Sequence, residues 1–177
     1  MLKDKIKENH TKAEKSKFMK MMFSGEVDTV LYKNYLQNQL LCYSKLESLC
    51  LEKHILDGIE SIQRAALIQK DIDELDSSIS TQILPATISY LNHLDNLDSQ
   101  GLLAHLYIRH FGDMYGGQMI KKMVPGSGSM YSFEDKDLLI ATLRPLLNDN
   151  LADEANAAFT YIINFFEELV QHYEQNI

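Results

Sequence analysis

Three glycines, at positions 112, 116 and 117, fall within six residues of the run HLYIRHFGDMYGGQMIKKM, whose apolar spacing is otherwise helical. A glycine inside a helix costs about 1 kcal/mol relative to alanine. A chain that keeps three of them within two turns is confined to a narrow choice: the helix bends there, or its bare backbone lies against something flat. Asp113 falls in the same turn and sets a carboxylate beside whatever lies there. The segment predicts a helix bent over a planar ligand, with one acid in the pocket.

The remainder of the chain supplies walls for such a pocket. Apolar residues recur at three- and four-residue spacing nearly throughout, without strand-like alternation. The pattern predicts helices over 3–23, 28–53, 59–75, 82–95, 98–124, 134–148 and 151–174. Asp28 suits an N-cap, as does Asp98 or Ser99, and Asp57-Gly58 is expected to end the second helix. VPGSGSMYS (124–132) reads as the clearest loop. A length of 177 residues suits one all-α domain spanning 1–177 with a single sizeable core.

Charge and composition exclude other classes. A net charge of −8 argues against nucleic-acid binding, which needs a basic surface. No apolar run approaches the ~18–20 residues of a membrane span, and the start MLKDKIKENH lacks a signal-peptide segment. A soluble, cytoplasmic protein without a membrane anchor is expected. Cys42 and Cys50, eight residues apart on one helix, stand about 12 Å apart, beyond disulfide reach. They read as reduced packing residues. The charge is uneven: residues 1–20 hold seven lysines against three acids. That imbalance fits a solvated helix face or a docking patch for an acidic partner.

The first helix carries a second signal. His10 and Glu14 are four apart and share a helix face. A carboxylate one turn away can fix the imidazole tautomer and leave the other nitrogen for a metal. Lys3 and Lys7 lie near the same stripe, so a metal-centred ligand bearing carboxylates would suit it, as haem does through iron and propionates. Such a pair is also common surface decoration, and His54, His93, His105, His110 and His172 read as surface or satisfied core residues. A di-metal bundle is excluded, because no histidine has Glu three residues upstream.

Together the two segments resemble the haem oxygenase family. The family's proximal pattern is met by His10-Thr11-Lys12-Ala13-Glu14 running on to Phe18-Met19. Its distal pattern is met by His105, Tyr107, Arg109, Gly112-Asp113 and Gly116-Gly117-Gln118, 95 residues on from His10. The resemblance extends to Ala158-Phe159 and the FEEL at 166–169. It implies an all-α fold with haem between a proximal helix and a kinked distal helix.

The same resemblance implies roles. His10 is the axial iron ligand and Glu14 its partner; Lys3, Lys7 and Arg144, in LRPLLN, anchor the propionates; Tyr107 and Phe159 contact haem, and Gly112 and Gly116 leave it room. Asp113, Arg109 and Tyr43 match the distal hydrogen-bond network and are the expected catalytic group. The implied reaction opens haem b, at once substrate and cofactor, at the α-meso carbon. It consumes O2 and electrons from ferredoxin or a flavoprotein reductase, and yields biliverdin IXα, CO and Fe2+. An acidic electron donor, ferredoxin first, and a downstream bilin reductase are the expected protein partners. Two positions depart from the family pattern: Tyr115 stands where a small residue is usual, and Ile162 where Asn is frequent. They keep open a haem-sequestering protein on the same scaffold. A thiamine-salvage-type hydrolase is the weaker alternative, since neither cysteine lies in a nucleophile motif.

Overall fold

Ser16 divides the first expected helix. In the computed structural model of the chain, which describes residues 1–177, α1 (Leu2–Glu14) ends at Lys15 and α2 (Lys17–Ser24) starts afresh. The Ser16 hydroxyl accepts from the Met19 amide at 3.3 Å. A serine that satisfies an orphan N–H opens a helix better than it continues one, so the expected helix over 3–23 is two. Asp28 caps α3 (Thr29–Glu52) as expected, its carboxylate accepting from the Leu31 amide at 2.8 Å. This helix stops short of Asp57-Gly58, and the chain then turns through left-handed residues His54 (φ 59°) and Gly58 (φ 80°).

Breakers shorten the later helices. A 3₁₀ turn (Glu60–Ile62) precedes α4 (Ala65–Asp73), so the segment expected over 59–75 begins at 65. α5 (Pro85–Leu94) starts at its proline, which lacks the N–H that an inner position would need. Asp98 caps α6 (Ser99–Leu106), accepting from the Gly101 amide at 2.8 Å. α6 runs through a single π-turn (Tyr107–Phe111) into α7 (Gly112–Ile120). The expected bend over 98–124 is thus this π-turn, and the glycines that follow it are helical. α8 (Lys136–Leu143) ends just before Pro145, and 3₁₀ turns Arg144–Leu146 and Asp149–Leu151 lead to α9 (Ala152–Gln175). The loop over 124–132 contains a short 3₁₀ turn held by Asp71, whose carboxylate accepts from the Ser129 and Met130 amides at 2.7 and 2.9 Å.

The fold is all-helical, with one core. α3 runs through its middle and packs against α4, α5, α6 and α9. α1 lies along α9 and buries Leu2, Ile6 and Ala13. The π-turn and α6 also rest on α9, so the two signal-bearing segments share α9 as a floor. No helix is long and apolar enough to cross a membrane. Cys42 and Cys50 are buried free thiols.

Candidate active site

α1 is amphipathic in the simplest way: one stripe faces α9, and the stripe bearing His10 is left open. The His10 side chain is 55% exposed, and its ring meets Phe159 of α9 edge-on at 5.9 Å between centroids. Glu14 Oε1 stands 3.6 Å from His10 Nε2, beyond hydrogen-bond distance. The imidazole is therefore loosely tethered, with Nδ1 uncommitted. Lys3 and Lys7 are exposed and have no acidic partner, whereas Lys5 pairs with Asp149 at 3.3 Å.

The glycines of the distal helix divide into two kinds. A Cβ built on Gly112 or Gly116 would meet nothing within 4 Å, so both present bare backbone to open space. Four residues apart, they share one face. Gly117 differs, because a Cβ there would lie 2.4 Å from Tyr131 Cδ1. Gly117 is required by packing, and the open backbone is that of Gly112 and Gly116.

Asp113 stands between these faces. The Tyr43 hydroxyl of α3 donates to its carboxylate, and burial pushes the carboxyl up to about 6 against the opposing pull of that bond. Desolvation of the charged form outweighs the hydrogen bond that favours it. Arg109, in the π-turn, is buried and has no carboxylate partner. Its Nε donates to the Tyr90 hydroxyl and its Nη1 to Gln39 Oε1, each at 3.0 Å, and its guanidinium faces the Tyr43 ring at 5.7 Å. Arg109 thus lies behind Tyr43, held by Tyr90 and Gln39. Tyr90 and Gln39, which fix it, were not singled out in the sequence; a buried arginine in an apolar stretch was the only signal that such partners had to exist.

Tyr107 and Arg144 close the outer edge. Burial raises the Tyr107 hydroxyl, and the nearby charge of Arg144 opposes that shift. Arg144 itself is exposed. Tyr115 is half exposed beside Phe111, with the Lys136 ammonium 5.0 Å from its ring centre, so it turns toward α8 and solvent. Ile162 is half-buried on α9, with no polar substitute at that position.

The family model described as "Heme oxygenase" matches residues 1–135, which include His10, Glu14, Tyr43, Arg109 and Asp113. The chain belongs to the haem oxygenase family. Among its family relatives, "Heme oxygenase 1" of a Nostoc strain is 30% identical over 195 residues, covering 92% of this chain and 82% of that protein. "Heme oxygenase" of the red alga Porphyra purpurea is 26% identical over 202 residues, covering 95% and 84%. The fold matches the crystal structure of Synechocystis heme oxygenase-1 in complex with heme, with a TM-score of 0.83, 24% identity, and coverage of 98% of this chain and 94% of that one. Arg144 and Phe159 lie beyond the segment matched by the family model.

Proposed function

We propose that the chain binds haem on the face of Gly112 and Gly116 and cleaves it to biliverdin IXα, CO and Fe2+. The observation that carries this reading is the bare, open backbone at these two glycines, next to a half-buried acid whose carboxyl is pushed up to about 6. A porphyrin plane can approach such a face as closely as helix backbone permits, and any side chain there would hold it off. When bound, haem supplies the iron that activates O2 and the meso carbon that is oxidised.

The residues divide the work. His10 would hold the iron through a ring nitrogen, with the Glu14 carboxylate one turn away beside it. Phe159 supports the imidazole from α9. Lys3, Lys7 and Arg144 meet the propionates, and their placement selects the ring orientation and hence the α-meso position. Tyr107 lies along the ring edge. Asp113 holds or releases a proton near neutral pH through water, which steers oxygen toward the ring rather than toward O–O cleavage. Tyr43 and Arg109 fix the direction in which that carboxyl points. Lys3, Lys7, Lys12, Lys15 and Lys20 are exposed without acidic partners, and they form the surface for an acidic one-electron donor of the ferredoxin kind. A bilin reductase would be the consumer of the product.

The test is direct. Purified protein mixed with hemin is expected to give a 1:1 complex with a Soret band. Addition of ferredoxin, its reductase and O2 should then bleach that band and yield biliverdin IXα. His10→Ala should lose the axial spectrum, with recovery on addition of imidazole. A Soret band that persists through reduction and aeration overturns the reading in favour of sequestration, and absence of hemin uptake overturns both.

A further inference from the structure

Two imidazoles from different helices converge on one carboxylate oxygen, away from the glycine face. His93, in the last turn of α5, and His105, at the end of α6, both donate from Nε2 to Oε1 of Glu154 in α9, the latter at 2.8 Å. The candidate ligand atoms of the three residues all lie within 4.8 Å of one another. We propose that His93, His105 and Glu154 form a site for a divalent first-row transition ion, with zinc preferred over ferrous iron. Two histidines and one carboxylate are a donor set used by zinc and by non-haem ferrous iron. Zinc lies above ferrous iron in affinity for such ligands.

Two features beyond the donor set support the site. First, His105 has an outer partner. Its Nδ1 lies 2.9 Å from the Tyr90 hydroxyl, which in turn accepts from Arg109 Nε at 3.0 Å. An ion on Nε2 would shift the ring's single proton to Nδ1, which faces the Tyr90 oxygen, the kind of outer partner that orients metal-bound histidines. Second, both imidazoles meet Oε1 of Glu154, and its Oε2 makes no hydrogen bond with the protein, so one carboxylate oxygen is open for coordination. Glu154 also borders a cavity of about 410 Å³ that carries Asp98 and Asp153, so water reaches its carboxylate.

The site is independent of haem chemistry, and the apoprotein can test it. Titration with Co2+ should give one equivalent of uptake with visible d–d absorption, and Zn2+ should displace it stoichiometrically. His93→Gln and Glu154→Gln each retain an amide for the local hydrogen bonds, and circular dichroism checks that they fold. Each should weaken Zn2+ binding by about 100-fold or more, since even outer partners of a metal ligand change affinity by 10–100-fold. His10→Gln should leave Co2+ and Zn2+ uptake unchanged. The proposal is overturned if the folded wild type takes up no Co2+. It is equally overturned if uptake survives both folded amide variants, or if it vanishes in His10→Gln.

Discussion

Desolvation acts on the half-buried Asp113 and the buried His105 with opposite consequences for pH. The Asp113 carboxyl rises from an ordinary value of 3.8 to about 6, so between these values the folded state binds more protons than the unfolded chain. Its contribution to stability is fully present below about 4 and is lost as pH rises through 6. His105 falls from 6.5 to about 4, so its contribution is present above 6.5 and is lost as pH falls through 4. The two trends oppose each other, and the wild-type profile alone will not reveal either. Asp113→Asn keeps an acceptor for Tyr43 and isolates the first. Its Tm should exceed that of the wild type at pH 7, and the gap should close toward pH 4.5; a gap that widens on acidification would contradict the buried-acid assignment. The same variant should bind hemin normally and lose most biliverdin formation, which a Soret titration and product chromatography would separate.

Among the elements, the distal helix is where local cost and packing diverge most clearly. Gly116→Ala should raise the Tm of the apoprotein, because a mid-helix glycine to alanine change contributes up to about 1 kcal/mol, and its Cβ meets nothing. It should at the same time weaken hemin uptake. Gly117→Ala should lower Tm, since its Cβ would overlap the Tyr131 ring and overpacking costs about 1–3 kcal/mol. Calorimetry of the two apoproteins distinguishes these outcomes. Sequence alone could not separate the two glycines, because Tyr131 arrives from a loop fourteen residues on. The long helices α3 and α9 were legible within one residue at each end, as strong periodicity and Asp28 marked them. The break at Ser16 was not: the apolar stripe continues across it, and only the hydroxyl's bond to the Met19 amide tips the balance. Likewise His10, Asp113 and Tyr43 stood out from their motifs, while Tyr90 and Gln39 did not, since their part is set by a buried guanidinium on another helix.

At the scale of the molecule, charge separates the amino-terminal face from the rest. Residues 1–20 carry +4 within a chain of −8, which suits steering of an acidic donor. Turnover supported by ferredoxin should fall with rising ionic strength, over the range where screening lengths shrink from roughly 30 to 8 Å. Turnover supported by ascorbate should not. Replacing Lys12, Lys15 and Lys20 with Glu should reproduce the loss at low salt without altering hemin affinity. The π-turn at Tyr107–Phe111 ties this assembly together. It holds one residue more than an ordinary helical turn. Excising a single amino acid from that stretch would let it close as plain α-helix, with the flanking helices kept near their present register but Arg109 re-aimed away from Tyr90 and Gln39. The length of this segment is therefore as binding a constraint as its composition.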